Sequence, residues 1–154
     1  MGAIGDILKK FGDDTVSIIK NNMSLTGTDA SGQTSQSLES NLIGEFRVKV
    51  IGRPFFMTVE TGRKPGRMPP VSKIQAWLET GKVTFTGKIE SVAWAISKSI
   101  ARSGTQLHQL GGRTDIVTPA LSDVRINKLV EDIANETLER TINVIERATD
   151  GTER

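Results

Sequence analysis

The chain has 154 residues, enough for one domain to bury a core without staples, and its 20 basic and 18 acidic side chains leave a formal charge of only +2. It has no cysteine and a single histidine, His108, which excludes disulfide frameworks, thiolate nucleophiles and Cys- or His-rich metal sites. The charge is unevenly spread: residues 1–42 hold 3 basic and 5 acidic side chains, residues 43–105 hold 11 and 4, and residues 106–154 hold 6 and 9.

Residues 3–23 read as an amphipathic helix. Ile4, Ile7, Leu8, Phe11, Ile18, Ile19 and Met23 recur at three- and four-residue steps, leaving Asp13, Asp14 and Lys20 in water. Gly12 weakens its middle and marks a candidate kink. Residues 24–37 are rich in Ser, Thr and Gly and read as a long polar loop, expected to be flexible in the free subunit.

Over residues 38–51, Phe46, Val48 and Val50 alternate with Arg47 and Lys49, the two-residue period of a half-buried strand. Gly44 is placed to turn an earlier strand, residues 38–43, into it. Residues 55–61 suit either a third strand or a turn of helix. Residues 62–70 hold three prolines and two glycines, which exclude regular structure and leave a basic irregular loop.

A short helix is expected over 71–80, with Ile74, Trp77 and Leu78 inward, Ser72 as cap and Gly81 as stop. After a connector at 82–86, a second helix over 89–103 sets Val92, Ala93, Ile96 and Ile100 on one stripe with Trp94 beside it. Both tryptophans are assigned to core packing, with an interface as the other option. Residues 105–118 form a polar loop with a candidate short strand at 115–117. A last helix spans roughly 121–148, with Ile126, Leu129, Val130, Ile133, Leu138, Ile142 and Ile145 at helical spacing, and residues 150–154 should fray. The order predicts a single α+β domain over 1–154: a small antiparallel sheet packed by helices, with long helices at both ends.

The apolar runs are far shorter than the ~20 residues of a membrane span, and no secretory leader pattern opens the chain, so a soluble protein without membrane contact is expected. No phosphate-loop spacing occurs; Thr80-Gly81-Lys82 lacks both the spacing and the following hydroxyl. Only Asp115 is offered as an orienting carboxylate for His108, and no nucleophile accompanies them. Neighbouring acids such as Asp13-Asp14 and Glu131-Asp132 do not face each other on a helix, so they make poor acid–base pairs. No catalytic, cofactor or metal residue is assigned. The unusual feature is the basic loop: Arg63, Lys64 and Arg67 on a Pro/Gly frame, with Arg53 upstream. It suits phosphates or an acidic protein neighbour, whereas the scarcity of aromatic residues argues against base stacking.

The segment from Val59 to Pro70, an apolar run followed by Glu60-x-Gly62-x-x-Pro65 and then a helix with an aromatic, resembles the neck or tail-completion proteins of long-tailed bacteriophages. Ala93-Trp94-Ala95-Ile96 through Ile100 to Gly104-Thr105 is similar to that family's helix-then-loop. Residues 116–121 resemble the segment before its last helix, and residues 34–38 its polar loop entering the first strand. The resemblance covers about residues 30–125, and the 82–87 connector departs from it. It implies a non-enzymatic virion protein, made in the host cytoplasm and assembled as a homo-oligomeric ring between the DNA-filled head and the tail tube. Its partners would be itself and other neck, connector and tail-tube proteins, with non-specific contact to genomic DNA. Arg53, Arg63, Lys64 and Arg67 would then face an interface or the DNA channel. The other function class is a nucleic-acid-binding protein using the basic 47–102 region.

Overall fold

The computed structural model describes residues 2–29, 32–54 and 56–150. The fold is α+β: one two-stranded antiparallel sheet packed by helices, with long helices near both ends. The elements are α1 (Ala3–Leu25), α2 (Gln33–Gln36), β1 (Glu39–Ile43), β2 (Arg47–Ile51), α3 (Thr58–Thr61), α4 (Val71–Leu78), α5 (Ile89–Ser103), α6 (Gln106–Gln109), a 3-10 turn (Thr118–Leu121) and α7 (Asp123–Asp150). They form two compact units. Unit 1 comprises Met1–Ile18, Glu39–Ile51 and Ala120–Arg154; unit 2 comprises Ile19–Leu38 and Gly52–Pro119.

In unit 1, β1 and β2 form a hairpin in which Glu39 pairs with Ile51 and Ile43 with Arg47. Gly44 supplies the positive φ of the tight turn, at 64°. The first part of α1 lies on this hairpin through Gly12. A Cβ at Gly12 would come within 2.5 Å of Val48 Cγ2 and 2.9 Å of Ser40 Cβ, so the position is glycine because the sheet passes there. Helix α1 continues through it as one element, not as two at a break. Lys9 Nζ donates to Ser40 Oγ at 3.0 Å and pairs with Asp13 at 2.5 Å, while the Ser40 hydroxyl donates to Asp13. Those hydrogen bonds, from Lys9 first and Ser40 second, hold the Asp13 carboxyl below its ordinary value. Leu8, Val16 and Ala120 are buried here, with Thr15 and Ser40.

Arg125, near the start of α7, gathers the same unit. It donates to the Ala120 carbonyl at 3.0 Å and to Thr15 Oγ1 at 3.3 Å, and its guanidinium stacks 5.1 Å from the Phe11 ring centroid.

Unit 2 buries Ile19, Met23, Leu38, Leu78, Ala93, Ile116 and Val117. Each of the larger aliphatic side chains contributes about 1.5–3 kcal/mol by leaving water. Helix α5 turns Ala93 and Ser97 inward, and the Ser97 hydroxyl is buried with no hydrogen-bond partner among the described residues. Asn22 on α1 donates to the Ile116 carbonyl at 2.9 Å.

Of the two options for 55–61, the turn of helix is the one found, as α3 at Thr58–Thr61, with Phe55 outside the described residues. Several other expectations are corrected. The cap of α4 is Pro70, whose carbonyl takes the Lys73 amide, and Ser72 lies inside the helix. Trp77 and Trp94 are exposed, not core residues, and so is Phe46, which sits in the hairpin turn and not on the strand. Residues 115–117 form no strand, because the Ile116 and Val117 amides are both drawn to one side chain described below. The stripe on α7 leaves no residue of that helix buried. The polar loop contains one helical turn, α2; its Ala30 and Ser31 lie outside the described residues, as do residues 151–154 of the tail expected to fray. No helix among the described residues is long and apolar enough to cross a membrane.

Candidate functional site

The basic loop follows α3 directly. Gly62 ends that single turn with φ 67°, a value that favours glycine, and the chain then runs alongside residues 101–118. The Arg63 amide donates to Thr105 Oγ1 at 2.9 Å, and the Arg63 carbonyl accepts the Thr105 amide at 2.9 Å. The Gly66 amide donates to the Ala101 carbonyl near the end of α5, also at 2.9 Å. Glycines permit this interlock from both sides: a Cβ at Gly104 would lie 2.7 Å from the Arg63 carbonyl oxygen, and one at Gly112 would lie 2.8 Å from the Glu60 carbonyl oxygen.

Glu60 anchors the whole arrangement. Its side chain is buried, and Oε1 accepts the amides of Ile116 at 3.0 Å, Val117 at 2.5 Å and Thr118 at 3.0 Å. The Thr118 hydroxyl donates to Oε2 at 3.3 Å, and the Arg113 amide donates to the Glu60 carbonyl at 2.9 Å. Three consecutive amides converging on one oxygen form an anion-binding concavity. A strand would send alternate amides to opposite sides, which is why 115–117 is not one.

The four cations named from the sequence therefore stand in different states. The Arg53 guanidinium donates to Gln33 Oε1 at 2.6 Å. It lines a cleft of 380 Å³ with Thr34, Pro54, Phe56, Thr58 and Val59. Arg63 folds back and donates to the Arg67 carbonyl at 2.7 Å. It lines a different cleft, of 650 Å³, shared with Trp77, Lys82, Val83, Thr105 and Leu107. The two clefts share Thr58 and Val59 of α3 as a common wall, but Arg53 lines only one and Arg63 only the other, so the two do not converge on one pocket. The Lys64 and Arg67 side chains are exposed, and neither forms an ion pair among the described residues. The loop's backbone is thus tied down at Arg63 and Gly66, and it presents two cations outside any ion pair among the described residues.

Several other titratable groups weighed from the sequence have partners of their own. Asp115, the carboxylate considered for His108, is bound by Arg113 through two hydrogen bonds of 2.5 and 2.7 Å. That pairing holds the Asp115 carboxyl low and raises the Arg113 guanidinium. On α7, Asp132 pairs with Lys128 and Glu136 with Arg140, each at 2.9 Å, in place of facing another acid. No three His, Cys, Asp or Glu side chains among the described residues are grouped to hold a metal ion.

The sequence reading missed one surface. Helix α7 turns Leu138, 60% exposed, and Ile145, 57% exposed, to solvent together with Val130 and Ile142. The signal was present in the width of the stripe. Ile126, Leu129 and Ile133 point one way and Leu138 and Ile142 another, an arc too broad for one packing partner to cover.

No protein-family model, no curated protein and no solved structure matches the chain.

Proposed function

We propose that the chain is a structural, non-catalytic subunit of the neck of a long-tailed bacteriophage, assembling with copies of itself into a ring that joins or completes the head–tail connection around the DNA channel. The observation that carries this reading is the segment from Glu60 to Pro70. It is the stretch whose pattern resembles the neck and tail-completion family, and it is a braced loop with Lys64 and Arg67 free. A braced loop suits repeated presentation of the same cations around a ring, where they meet DNA phosphates or an acidic neighbour. Its partners in this reading are further copies, connector and tail-tube proteins, and its place is the virion after synthesis in the host cytoplasm.

The test is electron microscopy of lysates from the phage that carries the gene, with that gene deleted. Full heads lying apart from finished tails are expected for a joining protein, and tails of irregular length for a terminator. Normal infectious particles would overturn the proposal.

The charge of unit 2 favours one other reading, a free nucleic-acid-binding protein. Unit 2 holds 11 basic and 5 acidic side chains, net +6. Binding through phosphates loses affinity with salt at a slope of about 0.9 per contact, so a steep salt dependence on duplex DNA that falls on replacing Lys64 and Arg67 by alanine would support it.

A further inference from the structure

Unit 1 mirrors the charge of unit 2: its 9 basic and 13 acidic side chains give net −4 against net +6. Each unit also carries an uncovered helical face of matching chemistry. On α5, Lys98 follows Trp94 by four residues and Ala95 by three, Arg102 follows Lys98 by four, and all four are exposed. Trp94 is 51% exposed, with the Lys98 ammonium 4.7 Å above its ring. Neither Lys98 nor Arg102 is in a salt bridge among the described residues. On α7, the exposed Leu138, Ile142 and Ile145 form an apolar patch edged by the exposed acids Glu131, Glu139 and Glu146, which no salt bridge among the described residues claims.

We propose that the outer face of α5 in one copy docks on the outer face of α7 in a second copy, head to tail. This docking rests on the reading of the chain as a ring subunit and names the surfaces that would close the ring. A tryptophan beside two cations is complementary to an aliphatic patch beside three carboxylates. Pairing α7 with another α7 would set like charges together at those edges, which disfavours the symmetric alternative. The two faces differ, so the contact is heterologous: every growing assembly retains one open α5 at one end and one open α7 at the other, and addition continues until a ring closes. Helix α7 has 28 residues and spans about 42 Å, long enough for the facing stretch of α5 to lie along it.

The absence of cysteine allows a clean test. Ala95→Cys and Ala134→Cys are made in separate full-length chains; both positions are exposed, and Ala134 lies one turn before Leu138. Each chain is oxidised alone and then mixed with the other, at the highest concentration at which the protein stays soluble, and covalent products are read by mass spectrometry. The expected product is the mixed disulfide joining one Ala95→Cys chain to one Ala134→Cys chain, lost when Lys98→Glu and Arg102→Glu are added to the Ala95→Cys chain. Circular dichroism of that chain separates lost docking from lost folding. Predominance of the Ala134→Cys homodimer, or no cross-linked product, overturns the docking. The two ideas fail separately. Heterodimers together with normal particles from the gene deletion keep this docking and remove the neck assignment; Ala134→Cys homodimers together with broken necks do the reverse.

Discussion

Glu60 shows how one side chain can set the course of a distant segment. A carboxyl group withdrawn from water needs hydrogen bonds to offset its lost hydration, and here residues 116–118 supply three amides and a hydroxyl. Glu60→Ala should destabilise the protein by about 2–4 kcal/mol, since charged hydrogen bonds contribute about 1.5–3 kcal/mol each and the amides would be left without a partner. Denaturant unfolding measures this, and a loss below about 1 kcal/mol would show that water replaces the carboxylate freely. The sequence offers no sign of this role. Glu60 stood out only as the first residue of a Glu-x-Gly-x-x-Pro pattern, and Ile116-Val117 looked like strand because both are β-branched. The convergence of their amides depends on a residue far away in the chain, which local propensity does not register. The four basic side chains were legible as residues, whereas which of them are free was not. That depended on Gln33 and on the Arg67 carbonyl.

At the scale of elements, Gly12 separates helix propensity from packing. In a solvent-facing helix, glycine to alanine stabilises by about 0.5–1 kcal/mol. At this position the added methyl meets Val48 and Ser40 of the hairpin, so Gly12→Ala should instead destabilise by about 1–3 kcal/mol. Thermal melts of the variant decide the sign, and a stabilised variant would mean that α1 and the hairpin do not lie as described. Periodicity located the elements well where a local rule governs them. The hairpin about Gly44 and the bounds of α5, from Ile89 to Ser103, follow from alternation and a stop glycine. It erred where burial was inferred from spacing alone. Trp77 and Trp94 have the spacing of core residues, and the aliphatic stripe of α7 has the pattern of an inner face. Spacing records which residues share a face; what covers that face depends on the surroundings.

At the scale of the whole molecule, the proposed docking joins units of opposite charge, so association through it would be sensitive to salt. Exposed charges are screened beyond about 10 Å at 0.1 M salt, whereas burial of Leu138 and Trp94 in that docking would not be. The melting temperature should therefore rise with protein concentration at low salt, because association stabilises the folded state by mass action, and the rise should flatten as salt increases. Differential scanning calorimetry over a concentration series measures both slopes. A melting temperature independent of concentration at every salt would mean that the folded chains do not associate. The α+β class was readable from the order of elements. The division of the chain was not, because unit 1 is assembled from three separated stretches and no linker composition marks its edges.

That interleaving bears on synthesis. Unit 2 uses nothing beyond Pro119, whereas unit 1 is incomplete until residues 120 onward are made. On the ribosome, chains emerge at about 5–20 residues per second, so unit 2 can close while α7 is still being polymerised. The helix with the uncovered aliphatic face thus leaves the exit tunnel after every other described element. A nascent chain offers neighbouring polysomes only half of a complementary pair, and translation itself delays the moment at which copies can seize one another.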